Sequence, residues 1–299
     1  MSLMPTESID ASLKDLDLKP NGEILDALLD SQMQAVVAVR EARDALDKAV
    51  DAAAQRLHQS EGRLVLLGAG ASGRLAVQDG AELWPTYGWP HARLMLCMAG
   101  GAEALLSSVE NVEDDAEAAR RDVAAASINA EDVVIALAAS GQSPWTCAWL
   151  EAAGERGALT IGFSNNPDTR LLRAAEHPVW LNSGAEVLAG STRMAAGTAQ
   201  KIALNLFSTT LMVRLNRTYG NLMVDMAAVN RKLDQRRIRL LQGVLPQLDD
   251  DAAALAVAAA DGWVKLAALI ALGDSAEQGR ERLQEHDGSL RSAMQAVTR

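Results

Sequence analysis

Short apolar runs alternate with longer amphipathic segments from about residue 61 onward. Each run is long enough for one buried strand and ends at glycine, serine or a polar loop. This alternation predicts an α/β protein with a doubly wound, five-stranded parallel sheet, because helical crossovers join consecutive parallel strands. The predicted strands are Arg63–Gly68, Arg93–Met98, Asp132–Ala138, Ala158–Phe163 and Val179–Leu181. The predicted helices between them are Ser72–Leu83, Ala102–Ala126, Pro144–Arg156 and Thr169–Ala175.

A long amphipathic helix is predicted ahead of the sheet, over Gly22–His58. Its apolar positions recur at helical spacing from Leu25 to Val50, with a break expected near Asp30-Ser31. A stripe of this kind either covers the protein's own core or packs on a partner subunit. The sequence leaves both interpretations open.

Pro246 marks the start of a region of short helices. Within it, Ser275 and Gln278 have the spacing of a capping box. The region contains no pattern that indicates chemistry. The predicted organisation is an N-terminal helical segment (1–60), an α/β domain (61–243) and a C-terminal helical module (244–299).

Composition narrows the range of partners. The chain has 299 residues and a formal net charge of −11, which argues against nonspecific binding to nucleic acid or to an anionic membrane. The longest apolar tract, Ala252–Leu272, is interrupted by charged residues and is not expected to span a membrane. Cys97 and Cys147 are far apart in sequence, as in proteins of reducing compartments, and the N-terminus lacks the pattern of a signal peptide. These features predict a cytoplasmic protein.

Two serine-bearing loops follow predicted strands. Gly68, Gly70 and Gly73 permit a tight first turn, with Ser72 near the start of the next helix. The second loop, Ser140–Ser143, repeats the order of strand, loop and helix. Helix N-termini favour anions because their N–H groups are unpaired and the positive end of the helix dipole lies there.

The Gly-x-Gly-x-x-Gly spacing of the first loop is also found in dinucleotide-binding proteins. Those proteins have an acidic residue at the end of the next strand, where this chain has Ala99-Gly100-Gly101. Two neighbouring serine loops fit one compact phosphate better than a dinucleotide. No Walker A lysine, HExxH motif or Cys/His cluster is present, so we predict no cofactor and no metal.

Three further segments carry candidate polar groups. Ser191 and Thr192 are predicted to cap a long helix that ends near Leu215. The acidic stretch Glu110–Glu117 has the pattern of a solvated helix face. Glu82 follows Gly80 and precedes a Trp-Pro bend, so it is expected to point into a loop.

Several motifs together resemble the N-acetylmuramic acid 6-phosphate etherases, which belong to the sugar-isomerase (SIS) domain superfamily. The motifs are Gly68–Arg74, Ala139–Pro144, Gly190–Arg193, Ala196–Lys201 and Tyr219–Asp225. The resemblance implies a phosphosugar ligand and a homodimer with sites near the subunit interface. By that similarity the serine loops hold the phosphate, through Ser72, Gly73, Ser140, Gly141, Gln142 and Ser143. Ser191 and Thr192 line the site.

The resemblance also places the family's two functional glutamates on Glu82 and Glu113. It implies that Glu82 is the proton donor and Glu113 its partner, and it leaves open which carboxyl removes the C2 proton. An uninterrupted helix would separate Ser72 from Glu82 by ~15 Å, too far for one phosphosugar to bridge. We therefore expect either a helix break near Gly80 or a Glu82 that serves the partner subunit's site.

The chain departs from the family pattern at three places: Leu83-Trp84, Ala195 and Thr6–Asp10. Trp84 is expected to reshape the pocket. Phosphosugar binding tolerates these changes more readily than substrate identity does. Two alternatives to the etherase therefore stay open: a non-catalytic phosphosugar-binding regulator and an aldose–ketose isomerase.

Overall fold

Five parallel strands form one sheet in the order β2-β1-β3-β4-β5. The computed structural model describes residues 4–226 and 231–297, with the side chains of 231–234 outside that description. The three central strands are buried along their whole length and the two edge strands are partly exposed, which explains the continuous apolar runs of the central three. The predicted α/β class and parallel sheet are confirmed. The strands are β1 Leu64–Gly68, β2 Leu94–Met98, β3 Val133–Ala138, β4 Leu159–Ser164 and β5 His177–Trp180.

Helices cover both faces of the sheet, as a doubly wound fold requires. The helices before the acidic segment are α1 Asn21–Glu41, α2 Arg43–His58, α3 Gly70–Ala81, α4 Leu83–Tyr87 and α5 Glu103–Leu106. Those after it are α6 Ala116–Ala125, α7 Pro144–Gly154, α8 Arg170–Ala174, α9 Ala195–Arg214 and α10 Arg231–Val244. The last four are α11 Asp250–Ala259, α12 Val264–Ala271, α13 Ala276–Glu285 and α14 Leu290–Val297. One face of the sheet packs against α6, α7 and α8, and the other against α2 and α3.

The predicted helix over Ala102–Ala126 is wrong. The segment consists of α5, a 3-10 turn at Val112–Asp114 and α6. Asn111 has a left-handed backbone (φ 62°), which stops a continuous helix, and the Asp115 carboxylate starts α6 by accepting the Ala118 N–H at 2.8 Å. The acidic stretch is therefore mostly a loop, not a helix face.

The N-terminal helix breaks at Ala42 (φ −79°, ψ 0°) and not at Asp30-Ser31, which stays helical. The break separates α2, which packs on β3, β4 and β5, from α1, whose large apolar side chains are mostly exposed. Ahead of α1, residues Pro5–Leu18 form three short 3-10 turns.

The chain divides into two compact units. The first comprises the residues up to Ala81 together with Ala92–Ser208, and it contains the whole sheet. The second comprises Glu82–His91 and the residues from Thr209 onward, with a core built by α10 to α14. The predicted capping box of Ser275 and Gln278 is present at the start of α13. The domain boundaries at 60 and 243 stay predictions.

Within the described ranges, no single helix has the length and apolarity to cross a membrane. The pair α11 and α12 passes that test only jointly, and a bend of 115° separates the two helices.

Asp132 joins the amino ends of β1 and β3. Its carboxylate, 1% exposed, accepts hydrogen bonds from the Arg63 main-chain N–H at 2.9 Å and from Arg63 Nη2 at 2.7 Å. Burial by itself would raise the pKa of this carboxyl. The hydrogen bonds from Arg63 and from the Asn129 main chain outweigh that effect and hold the pKa below its usual range.

Replacing Asp132 by Asn is expected to lower the free energy of unfolding by about 2–3 kcal/mol at neutral pH, because Arg63 loses a charged hydrogen-bond acceptor. The pKa of Asp132 is lower in the folded state than in the unfolded state. The stabilisation is therefore complete at a pH above the unfolded-state pKa and is lost as the pH falls through the folded-state pKa. The difference between wild type and variant should shrink only below about pH 4. Urea titrations across pH test this, with the exposed Glu61→Gln as control. A loss that does not change down to about pH 2 would contradict it.

Candidate active site

The two serine loops lie next to each other at the carboxyl ends of the sheet's strands. β1 and β3 are paired in parallel with Gly68 opposite Leu137, so the loops that follow these strands begin side by side. Strand order reverses between β1 and β3, since β1 leads to β2 on one side and β3 leads to β4 on the other. In open α/β sheets, ligands bind in the crevice at such a reversal point.

Ser72 lies in the first turn of α3 and is buried. The turn is tight, because a Cβ at Gly73 would lie 2.5 Å from the Gly68 carbonyl oxygen. Only glycine allows the helix to start this close to the strand. The first turn of α3 therefore follows the end of β1 directly, beside the start of the second loop.

The second loop also depends on a glycine. Gly141 has φ 63°, and a Cβ there would lie 2.3 Å from Thr169 Oγ1. Ser140 Oγ accepts the Gln142 main-chain N–H at 3.2 Å, which shapes the loop. Ser143 occupies the N-cap of α7 without making a side-chain capping bond, so the first N–H groups of α7 have no capping side chain. Such an uncapped helix start suits an anion.

Glu113 lies in the 3-10 turn that follows α5 and is exposed. Its main-chain carbonyl accepts a hydrogen bond from Ser143 Oγ at 3.3 Å, which ties the acidic loop to the second serine loop. Glu113 also lines a cavity of about 370 Å³ together with Gly70 and Arg74 of the first loop. The structure thus brings Glu113 next to both serine loops.

Ser191 and Thr192 are half-buried and precede α9, which begins at Ala195. The prediction that they cap this helix is wrong. The buried carboxylate of Glu186 does so, because it accepts the N–H groups of Ala195 and Ala196 at 2.9 Å each. Two oxygens on one carboxylate satisfy two N–H groups at once, which a single hydroxyl does less well.

The buried side-chain amide of Asn165 helps to hold the loop before α9 at the carboxyl ends of the strands. Asn165, directly after β4, donates through Nδ2 to the Leu181 carbonyl, to Ser183 Oγ and to the Ala196 carbonyl. Gln200 of α9 in turn donates to Asn165 Oδ1 at 3.0 Å. Glu186 and Asn165 were missed because neither belongs to a recognisable motif, and their positions depend on contacts distant in sequence.

The N-terminal segment around Thr6 also lies at the carboxyl ends of the strands. Asn166 donates to the Ala139 carbonyl, next to Ser140, and to Thr6 Oγ1 at 2.8 Å. The Thr6 main-chain N–H donates back to Asn166 Oδ1 at 3.2 Å. Thr6, one of the positions that departs from the family pattern, is thus fully buried and holds the start of the chain beside the second serine loop.

Glu82 belongs to a different compact unit from the two serine loops. Helix α3 ends at Ala81, so the expected break near Gly80 is present. Glu82 follows it, is exposed, and belongs to the second unit, whereas the serine loops belong to the first. Trp84 stacks on His91 with ring centroids 4.8 Å apart. The position of Glu82 relative to the serine loops, and any effect of Trp84 on the pocket, stay predictions.

The two cysteines do not supply a nucleophile to this site. Burial raises the pKa of the Cys97 thiol to about 12 and that of Cys147 to about 11, so neither is a thiolate at neutral pH. Among the described residues, no group of three or more His, Cys, Asp or Glu side chains is arranged to hold a metal ion.

Comparison with known families identifies the class of the protein. The model of the glucokinase regulatory protein N-terminal SIS domain matches residues 45–153, and the SIS domain model matches residues 103–210. Among solved structures, the chain is similar to a phosphoheptose isomerase from Francisella tularensis. That similarity has a TM-score of 0.47 and 19% identity over 66% of this chain and 98% of that one. Fold and matched families define a protein of the sugar-isomerase domain class.

Proteins similar over nearly the whole chain identify the family within this class. An N-acetylmuramic acid 6-phosphate etherase from Deinococcus radiodurans is 45% identical over 97% of this chain and 94% of that protein. A protein of the same name from Streptomyces avermitilis is 39% identical over 100% of this chain and 96% of that one. The chain belongs to the N-acetylmuramic acid 6-phosphate etherase family.

Proposed function

We propose that this chain is a carbon–oxygen lyase that cleaves the D-lactyl ether of N-acetylmuramic acid 6-phosphate, giving N-acetylglucosamine 6-phosphate and D-lactate. The observation that carries the proposal is the 45% identity to an etherase over nearly the whole of both chains. The two serine loops at the β1/β3 crevice support it, because helix starts suit a compact phosphate and the start of α7 has no side-chain capping bond.

The phosphate is assigned to the two serine loops. Ser72 and Gly73 contribute from the start of α3, and Ser140, Gly141, Gln142 and Ser143 contribute from the loop before α7. Both helices begin directly after these loops, and the main-chain N–H groups of a helix start favour an anion even in a chain of acidic net charge. Ser191 and Thr192 line the site from the loop that Glu186 and Asn165 hold in place.

The reaction follows from the chemistry of the open-chain sugar. The C2 proton lies next to the aldehyde, so a carboxylate can remove it. The C3–oxygen bond then breaks, a double bond forms between C2 and C3, and a carboxylic acid protonates the departing oxygen, which becomes the D-lactate hydroxyl. Water adds its hydroxyl to C3 and a proton to C2. The net reaction consumes one water.

Glu82 is assigned as the acid that protonates the lactyl oxygen, and Glu113 as its partner. Support for Glu113 comes from its place in the cavity beside the first serine loop and from the hydrogen bond between its carbonyl and Ser143. Support for Glu82 comes from the family resemblance and from its place between α3, which ends at Ala81, and α4, which begins at Leu83.

The proposal is tested by incubating the protein with N-acetylmuramic acid 6-phosphate and measuring D-lactate. Stoichiometric release of D-lactate and N-acetylglucosamine 6-phosphate is expected. Binding of the sugar phosphate without release of D-lactate would instead favour a phosphosugar-binding regulator. That alternative is compatible with the match to the glucokinase regulatory protein domain. An isomerised sugar phosphate without lactate would favour an aldose–ketose isomerase.

We also propose that the chain forms a homodimer through α1. Five large apolar side chains of this helix are exposed: Leu25, Leu29, Met33, Val36 and Val37. They do not cover the protein's own core, which leaves the partner interpretation of the sequence pattern. A contiguous apolar stripe of this kind is typical of an interaction surface.

Replacing Met33, which is 66% exposed, by Glu is expected to convert the dimer to a monomer, because a charge at the centre of the stripe would be buried without a partner. Light scattering after size-exclusion chromatography measures the mass. Leu255→Glu, at a 72% exposed position on α11, is the matched control and should leave the dimer intact. A monomeric wild type, or a dimeric Met33→Glu, would overturn the assignment.

A cytoplasmic location is proposed on the basis of the cysteines. Cys97 and Cys147 are both free thiols, as is usual in a reducing compartment.

A further inference from the structure

Arg74 lies at the edge of the candidate site, and the described residues give its guanidinium no acidic partner. Its Nε donates to the Leu105 carbonyl at 3.3 Å and its Nη2 donates to the Ser107 carbonyl at 3.1 Å. In the described part of the chain, no carboxylate lies within ion-pair distance of this guanidinium. A guanidinium has five N–H donors, so most of its hydrogen-bonding capacity is left over after these two bonds.

The surroundings of Arg74 make this unusual. It lines the cavity of about 370 Å³ with Gly70 of the first serine loop and with three acidic residues, Glu110, Glu113 and Asp114. Arg74 is the one basic residue among those that line the cavity. A negatively charged group entering this cavity would be repelled by the acidic residues unless a cation offset their charge.

The proposed substrate has two anionic groups, and this inference rests on the proposed function. The serine loops account for the phosphate at C6. The lactyl carboxylate is attached at C3, on another part of the sugar, and needs a separate cationic partner. We propose that Arg74 binds the lactyl carboxylate and thereby selects sugars that carry the lactyl ether.

The geometry of a guanidinium supports this role. Its planar fork matches a carboxylate with two parallel hydrogen bonds, which a lysine ammonium does not reproduce. The two main-chain carbonyls hold the fork in place beside the cavity, so little side-chain freedom remains to be lost on binding. The same two bonds connect α3 to the segment that leads to Glu113, so the guanidinium lies beside the acidic loop.

The experiment compares Arg74→Gln and Arg74→Lys with wild type on three sugars: N-acetylmuramic acid 6-phosphate, its lactyl carboxamide, and N-acetylglucosamine 6-phosphate. Arg74→Gln should weaken binding of the first about 10- to 100-fold, as expected for one charge-assisted contact. Binding of N-acetylglucosamine 6-phosphate, measured by calorimetry, should change less than about twofold. Arg74→Lys should restore part of the affinity. Arg280→Gln, on the surface of α13, is the matched control.

The carboxamide completes a thermodynamic cycle. Wild type should bind it about as weakly as Arg74→Gln binds the acid, and Arg74→Gln should not distinguish acid from amide. Equal loss for all three sugars would mean that Arg74 only shapes the loop, and no loss would mean that it binds nothing; either result overturns the proposal. If Arg74→Gln does not fold, the preference of wild type for acid over amide decides. Failure of the proposed function is seen separately, as absence of D-lactate while the Arg74-dependent preference persists.

Discussion

Replacing Glu82 by Gln is expected to reduce D-lactate release by about 10²- to 10⁴-fold, the usual contribution of a general acid or base. The amide keeps the size of the side chain but cannot give a proton to the departing lactyl oxygen. Affinity for N-acetylglucosamine 6-phosphate should stay near the wild-type value, because the phosphate is assigned to the serine loops. Single-turnover rates and calorimetry separate the two effects.

Glu113→Gln should cause a loss of similar size. Glu117→Gln, an exposed acid on α6 that does not line the cavity, is the control and should be close to wild type. The pH dependence then assigns the roles: the variant that lacks the base loses the acidic limb of the profile, and the variant that lacks the acid loses the alkaline limb. Near-wild-type lactate release by either variant would remove that glutamate from the mechanism.

The two variants also decide whether Glu82 acts in its own subunit or in its partner. If each site takes Glu113 from one chain and Glu82 from the other, mixed dimers of Glu82→Gln and Glu113→Gln contain one intact site and regain activity. If both residues come from the same chain, neither site in the mixed dimer is intact. Recovered activity would also support the dimer assigned to α1.

The sequence predicted the sheet and the serine loops because both depend on local patterns. A short apolar run followed by glycine and serine is readable over a dozen residues, and the parallel order then places the loop ends of β1 and β3 together. Glu113 could be picked out only by resemblance. Its loop depends on the left-handed Asn111 and on contacts with Ser143, and neither changes the helical appearance of the sequence.

Lys265 shows the same limit in the second unit. In the sequence it only interrupts an apolar tract, and in the structure it is 2% exposed. Its ammonium donates to Asp225 Oδ2 at 2.5 Å, and to the carbonyls of Asn216 and Gly288 at 2.7 and 2.8 Å. Asp225 also accepts the indole N–H of Trp263 at 2.8 Å. The last residue of the motif Tyr219–Asp225 is thus half of a buried ion pair.

Breaking this pair from one side should therefore be costly. Lys265→Met is expected to lower the free energy of unfolding by about 3–5 kcal/mol, because Asp225 remains as a buried charge whose other partners among the described residues are Trp263 and the more distant Arg217, 3.6 Å away. Asp225→Asn should cause a loss of similar size by leaving the ammonium without a carboxylate. Urea denaturation followed by circular dichroism measures both changes.

The double variant Lys265→Met with Asp225→Asn distinguishes a buried pair from two independent contacts. It should be destabilised by clearly less than the sum of the two single changes, since neither charge is then left alone in the core. Arg280→Gln, which removes a pair with the 90% exposed Asp261, should cost no more than about 1 kcal/mol. Strict additivity of the two buried substitutions would show that Asp225 and Lys265 stabilise this unit separately, and that the motif has some other reason to end in aspartate.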